Sequence, residues 1–246
     1  MKMKEFLSSY VKLRPDGKID IPKHIKHVKL DIGLAYNAPH SQYWLSHEDN
    51  LYVFGFEPNP TSVETIKSGA IKRDPSHGDT LETKYINKNF FIIPCALGLS
   101  TETNIKFYET KDCGVCSIFV PNSSNESFKI EKTYDVPFWR LSDFLDLFPF
   151  DTHPLIEYIK LDTQGADLDI AKSAGAYLET SVMYITLEGE VDTYKNANNS
   201  KQAIDEYMKG IGFLPFKSED VKDPTYLNSR FLDYARTHTI KIKQFG

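Results

Sequence analysis

The sequence has few cysteines, and their number argues against a disulfide-stabilised fold. There are three, Cys95, Cys113 and Cys116, in 246 residues, and an odd count in a chain of this size defines no disulfide framework. Cys113 and Cys116 have the CxxC spacing of half a zinc site or of a redox pair. No second CxxC and no nearby pair of histidines completes a metal site. We therefore interpret the two residues as thiols in a loop and predict no bound metal.

The sequence also lacks a long hydrophobic run. Its longest apolar stretch, residues 90–99, contains Pro94 and is far too short to cross a bilayer. The N-terminal segment reaches Ser8 and Ser9 after only two apolar residues, so it lacks the apolar centre of a signal peptide. We therefore expect a cytoplasmic protein without a membrane partner.

Basic residues are not in excess. The chain has 29 Lys and Arg against 34 Asp and Glu, which gives a formal net charge of −5. Proteins whose main partner is a nucleic acid usually carry a basic surplus that neutralises phosphates. We therefore expect no nucleic-acid partner.

The composition is that of an ordinary globular protein. Hydrophobic residues make up 41% of the chain and charged residues 26%, well away from disordered or fibrous compositions. The length suits one substantial hydrophobic core. We predict a single domain in which residues 1–27 are an N-terminal extension, 28–190 the cofactor-binding core, and 191–246 the completion of the sheet.

Strand-like apolar runs alternate with segments that carry helix signals. The predicted strands are residues 28–33, 51–56, 90–94, 156–161 and 182–187, and the predicted helices are residues 60–68, 140–148, 165–174 and 201–212. This alternation predicts an α/β fold with a doubly wound, mostly parallel, Rossmann-like sheet that has helices on both faces. Residues 103–139 break the rhythm, and their two alternating stretches, 105–108 and 128–130, indicate a small antiparallel insertion.

Acidic residues lie at the ends of four of these runs. They are Asp31, Glu57, Asp162 and Glu188. In an open α/β sheet, ligands bind beyond the carboxyl ends of the strands. These four acids are therefore the first candidates for a binding site.

The turn after the first run has one glycine, Gly33, where a dinucleotide-binding fingerprint would have three. Asn37 and Pro39 follow it and could cap and begin the next helix. Glu57 lies 26 residues after Asp31, near the spacing at which an acid binds ribose hydroxyls. An adenosine with an amino-acid tail therefore fits this pattern better than NAD does.

Five segments, in order along the chain, resemble the motifs of FkbM-type methyltransferases. They are VKLDIG (28–33), VFGFEPNP (53–60), ALG (96–98), RLSDFL (140–145) and IKLDTQGADLDI (159–170). The resemblance covers roughly residues 28–190, and the second and fifth segments are the most specific. One departure is Gln164, which stands where the family commonly has Glu.

The resemblance implies a Rossmann-like methyltransferase fold, S-adenosylmethionine as cofactor, and methylation of a hydroxyl on a sugar or a small natural product. By position, the first-strand turn would hold the methionine part, Glu57 the ribose, and Cys95 and Ala96 the adenine, while Asp162 would lie beside the transferred methyl group. The full set of predicted cofactor-binding residues is Asp31, Gly33, Asn37, Glu57, Asn59, Cys95, Ala96 and Asp162.

Two acids and a histidine are the candidates for catalysis. Asp162 and Glu188 follow strands that point to the same crevice, so either could orient the acceptor or take its proton. His40 is third, because a lone histidine is more often structural. Asp167 and Asp169 fall in the first turn of a predicted helix, where the helix dipole alone explains them.

The remaining alternatives concern the acceptor and the class of protein. Tyr36, Tyr43 and Trp44 could stack on a sugar ring, although packing in the core explains them equally well. A non-catalytic protein that binds an adenosine ligand, an NAD-dependent oxidoreductase and a nucleic-acid methyltransferase remain as rivals. The oligomeric state cannot be predicted from the sequence.

Overall fold

The structure is a computed structural model that describes residues 2–70, 73–74, 78–189, 192–216 and 222–238. Its helices are α1 (Met3–Leu7), α2 (Pro39–His47), α3 (Pro60–Ser68), α4 (Leu141–Leu145), α5 (Asp167–Ser173), α6 (Ala176–Ser181), α7 (Lys201–Gly210) and α8 (Leu232–Thr237). Its strands are β1 (His27–Ile32), β2 (Leu51–Phe56), β3 (Arg73–Asp74), β4 (Gly78–Asp79), β5 (Phe90–Ile93), β6 (Ala96–Leu97), β7 (Glu102–Thr110), β8 (Ile130–Trp139), β9 (Ile156–Leu161), β10 (Val182–Thr186), β11 (Phe213–Pro215) and β12 (Thr225–Asn228).

The core of the fold is a seven-stranded sheet with the order β11-β12-β10-β9-β1-β2-β5. The five strands from β10 to β5 are parallel, whereas β12 and β11 are antiparallel to their neighbours. These five strands match the five predicted runs to within one residue at each end. Every residue of β9 and β10 is buried, which is typical of central parallel strands. The predicted mixed α/β fold with a mostly parallel sheet is therefore confirmed.

Side chains on β1 alternate between the two faces of the sheet. Val28, Leu30 and Ile32 join a cluster that includes buried residues of α1, α4, α5 and α7. The opposite face packs against α2 and α3, where Trp44 and Val63 are buried. Buried helix residues therefore occur in both clusters.

A separate three-stranded sheet has the order β6-β8-β7, in which β7 and β8 are antiparallel. The strand expected at residues 128–130 instead runs from Ile130 to Trp139. Residues 131–135 are polar and mostly exposed, so they carry no apolar pattern. Backbone pairing with β7, rather than burial, holds this part of the strand.

Three predicted helices are shorter in the structure, and the one expected at 201–212 ends at Gly210. The helix expected at 165–174 begins only at Asp167, because Gln164 and Gly165 adopt positive φ values of 57° and 105°. The helix expected at 140–148 is confined to Leu141–Leu145. Among the described residues, no helix combines the length and the apolar composition that a membrane crossing requires.

Candidate functional site

A cavity of about 320 Å³ lies beyond the carboxyl ends of the parallel strands, within the size range of small-molecule sites. Nine of the predicted site residues line it: Gly33, Asn37, His40, Glu57, Asn59, Cys95, Ala96, Asp162 and Glu188. They come from the segments that follow β1, β2, β5, β9 and β10. The strand order therefore brings together residues that lie far apart in the sequence.

Asp31 is the one predicted site residue that is not part of the cavity lining. Its side chain is 1% exposed, and Oδ2 accepts hydrogen bonds from the backbone N–H and the hydroxyl of Ser41, at 3.2 and 2.5 Å. Burial raises the pKa of Asp31, although the ammonium of Lys160 opposes this effect. Asp31 thus ties the start of α2 to β1 from behind the cavity wall.

Gly33 allows two loops to approach each other closely. Its φ is +84°, and a Cβ atom there would lie 1.9 Å from the carbonyl oxygen of Asp162. The Gly33 N–H donates to the carbonyl of Phe56, and the Asp162 N–H donates to that of Ile32. Only glycine combines this backbone conformation with such a close contact. The floor of the cavity is therefore made of backbone from β1, β2 and β9.

Asn37 was expected to cap α2, but it does not. The N-cap is Ala38, in the left-handed region at φ 47°, and its own side chain makes no capping hydrogen bond. The side chain of Asn37 is fully buried, lines the cavity, and neither Nδ2 nor Oδ1 has a hydrogen-bond partner among the described residues. Since buried polar groups are almost always paired, this amide is available to a ligand.

Glu57 is buried at the end of β2 and is held by backbone N–H groups. Oε1 accepts from Asn59 at 2.8 Å and Oε2 accepts from Leu34 at 3.0 Å. Burial raises the pKa of Glu57 to about 8, against the lowering effect of these hydrogen bonds. A carboxylate has about four acceptor positions. Glu57 can therefore still accept hydrogen bonds from ligand hydroxyls in the cavity.

Lys160 also lines the cavity, although the sequence patterns did not indicate it. Nζ donates to the carbonyl of Gly33 at 3.0 Å and lies 3.2 Å from Oδ2 of Asp162 and 3.7 Å from Oδ1 of Asp31. Burial alone would lower the pKa of Lys160, but these two carboxylates raise it above its ordinary value. A lysine within an apolar run is the signal that could have indicated a buried ion pair.

Asp162 and Glu188 are joined by one amide. Nε2 of Gln164 donates to Oδ1 of Asp162 at 2.9 Å and to Oε2 of Glu188 at 2.6 Å. Oε1 of Gln164 accepts from the hydroxyl of Tyr194 at 2.9 Å, and Lys222 pairs with Glu188 at 2.5 Å. The two predicted catalytic acids therefore lie at the same side of the cavity.

Asp162 remains ionised over the whole physiological range. Burial opposes its charge, but Lys160 and the amide of Gln164 outweigh this effect and hold its pKa below the ordinary value. The side chain is 41% exposed, so a ligand can reach it. A carboxylate of low pKa is a weak proton acceptor but a good hydrogen-bond acceptor.

Asp167 supports the site without lining it. Its side chain accepts hydrogen bonds from the backbone and hydroxyl of Thr163 and from the backbone N–H of Glu188. Burial raises its pKa to about 6. The helix-dipole interpretation missed this function, because the partners belong to the loops after β9 and β10. Asp167 holds these two loops together.

One wall of the cavity is apolar. It is formed by Cys95, Ala96, Leu97, Phe107, Cys113, Cys116 and Ile118. Burial raises the pKa of the thiols of Cys95 and Cys116, so these residues act as small apolar groups. The CxxC loop, expected to have no role, thus lies against the cavity.

The three aromatic residues that could have stacked on a sugar do not line the cavity. Trp44 is fully buried and packs edge-on against Tyr158, and the ring of Tyr43 contacts that of His47 at a tilted angle. Neither they nor Tyr36 is among the lining residues. Trp44 belongs to the hydrophobic core, and the idea that it offers a surface to an acceptor is wrong.

Comparison with protein families matches residues 28–215 to the family described as "Methyltransferase FkbM domain". The match begins at the second residue of β1 and ends with β11, so it includes every strand whose carboxyl end contributes to the cavity. Comparisons with curated proteins and with solved structures give no significant match.

Proposed function

Because this chain belongs to the FkbM methyltransferase domain family, we propose that it transfers a methyl group from S-adenosylmethionine to a hydroxyl of a glycan or small natural product. The proposal places this reaction on a doubly wound, Rossmann-like sheet. Its main support is one observation: a single cavity contains a buried acid, an unpartnered buried amide and two carboxylates joined by Gln164.

The cavity fits S-adenosylmethionine in three respects. Glu57 has acceptor positions for ribose hydroxyls, and the unpartnered amide of Asn37 can pair with the amino-acid tail. The apolar wall that contains Cys95 and Ala96 suits a flat, weakly polar adenine. The turn at Gly33 also lines the cavity directly. Asp31, which the wall hides, contributes by positioning α2 and Lys160.

S-adenosylmethionine, when bound, supplies an electrophilic methyl group on a sulfonium. Transfer to a hydroxyl depends on in-line placement of the oxygen and becomes easier if a base takes its proton. We propose that Asp162 orients the acceptor hydroxyl, because Lys160 keeps this carboxylate charged. Glu188 or, as a third choice, His40 receives the proton, since both line the same cavity.

The first expected result concerns the cofactor. S-adenosylhomocysteine should raise the melting temperature of the protein by an amount that grows with its concentration, as any ligand of the native state does. NAD should have no effect, because the turn at Gly33 lacks the other glycines of a pyrophosphate site. A thermal-shift titration with both compounds measures this. Stabilisation by NAD alone would contradict the proposed cofactor.

The second expected result concerns the acceptor. Asp162 and Glu188 line the site, and the chain has a net charge of −5, so a polyanion would be repelled. Labelled methyl groups should therefore appear on oligosaccharides or small hydroxylated metabolites, with little dependence of the acceptor KM on salt.

The assay is run with mixed oligosaccharides, small metabolites and RNA, each at low and high salt. Preferential labelling of RNA, with binding that weakens steeply as salt rises, would exclude the glycan interpretation and support a nucleic-acid methyltransferase. If S-adenosylhomocysteine binds but no acceptor is labelled, the remaining alternative is a non-catalytic protein that binds an adenosine ligand.

A further inference from the structure

A second group of chemically reactive side chains lies at the opposite edge of the sheet. His27 begins β1, Glu157 is the second residue of β9, and Glu48 follows the last residue of α2. One potential ligand atom from each of these residues lies within 4.8 Å of the other two. In the described part of the chain, this is the one such cluster of three or more residues.

Glu157 carries an unsatisfied oxygen into this cluster. Its side chain is only 4% exposed, and Oε1 lies 2.7 Å from Nδ1 of His27. Oε2 is buried and has no hydrogen-bond partner among the described residues. Leaving a buried carboxylate oxygen unpaired costs free energy, and native proteins rarely do so without a water or an ion at that position.

The surroundings of the cluster suit an ion held by protein groups. Lys29 is fully buried and donates to Oε1 of Glu48, which fixes the orientation of that carboxylate. Glu157 also lines a second cavity of about 400 Å³, through which an ion and its waters can enter. Thr152 and His153 belong to the same cavity wall.

We propose that His27, Glu48 and Glu157 bind a divalent cation of the zinc class. One imidazole nitrogen and two carboxylates are ligands that Zn²⁺ and related first-row ions accept, with the remaining positions open to water. The three ligands belong to three separate elements. A bound ion would therefore stabilise the fold, because it would join the start of β1, the end of α2 and β9.

This site is distinct from the methyl-transfer cavity. His27 and Ile32 are the two ends of β1, and a strand of that length extends about 16 Å at ~3.3 Å per residue. The ion therefore contacts no residue of the cavity described above. It affects the cavity only by bracing α2, whose first residues, Pro39 and His40, line that cavity.

The experiment uses the full chain after treatment with a chelator and measures Zn²⁺ binding by calorimetry together with the melting temperature. We expect saturable binding of about one ion per chain. At a hundredfold excess over Kd, the melting temperature should rise by about 5 °C or more. His27→Ala and Glu157→Gln should each weaken Zn²⁺ binding at least about 100-fold and abolish the thermal shift.

His24→Ala is the matched control, since His24 is exposed, lies three residues before His27 and is not part of the cluster. This variant should bind Zn²⁺ as the parent does, and all variants should keep their response to S-adenosylhomocysteine. Absence of saturable binding to the parent would overturn the proposal, as would undiminished binding in both His27→Ala and Glu157→Gln.

A spectrum of the parent loaded with Co²⁺ keeps the test informative even if both variants fail to fold. Nitrogen and oxygen ligands give only weak visible bands. Strong near-ultraviolet charge-transfer absorption would indicate a thiolate ligand, would place the ion at Cys113 and Cys116, and would contradict the proposed site.

Discussion

Replacement of Gly33 with alanine should destabilise the folded protein by at least about 3 kcal/mol and abolish binding of S-adenosylhomocysteine. The left-handed backbone conformation of Gly33, at φ +84°, costs an alanine about 1–2 kcal/mol. The added Cβ would also lie 1.9 Å from the carbonyl oxygen of Asp162. That oxygen is backbone at the end of a central strand, so it cannot move without displacing β9. Urea denaturation and a ligand titration measure the two effects.

Gly212→Ala is the control for this variant. Gly212 has nearly the same φ, +85°, but the nearest atom to its added Cβ would be Oγ of Ser229 at 3.5 Å, an ordinary contact. We therefore expect Gly212→Ala to cost only the conformational part, about 1–2 kcal/mol, and to leave ligand binding intact. If both variants lose the same free energy of unfolding, the close approach to Asp162 makes no contribution to the cost of the Gly33 substitution.

Substitution of Asp162 by asparagine should reduce turnover by roughly 10²-fold or more while the affinity for S-adenosylhomocysteine changes only a few-fold. Asparagine keeps the size of the side chain but removes the negative charge that orients and stabilises the acceptor hydroxyl. Folding should survive, because Lys160 keeps its hydrogen bond to Gly33 and its ion pair with Asp31. Single-turnover assays with labelled methyl donor separate this effect from binding.

Asp169→Asn is the matched control, since Asp169 lies on α5 close to Asp162 in the sequence but does not line the cavity. It should retain turnover near that of the parent. If Asp162→Asn also retains turnover, the proposed role of Asp162 is wrong, and Glu188→Gln and His40→Gln then identify which of the other two residues acts on the acceptor.

Much of the architecture could be predicted because each central strand carries its own signal. β2 and β9 are short apolar runs that end in an acid, and their bounds match those predicted from the sequence. Parallel strands must place their carboxyl ends at one edge of the sheet. Glu57, Asp162 and Glu188 were therefore expected near one another before any tertiary contact was known, and all three line one cavity.

Local sequence patterns predicted the structure less accurately where the backbone departs from regular geometry or where burial does not mark a strand. Asn37 was expected to cap α2, yet Ala38 occupies the N-cap position with a left-handed φ of 47°, a conformation that propensity does not predict for alanine. Likewise, β8 extends through polar, exposed residues, because pairing with β7 replaces the burial that gives most strands their sequence signal.

The chain's own sequence thus determined the number and position of the central strands, the acids at their ends and the family, since these depend on short-range periodicity and ordered motifs. Only the tertiary structure decided which acids face the cavity. Asp31 and Asp162 carry similar signals and both pair with Lys160. However, Ser41 on α2 holds Asp31 behind the wall, while Asp162 is left 41% exposed. These partners belong to other strands and helices. Which acid they contact depends on strand order and packing, and no local sequence pattern contains that information.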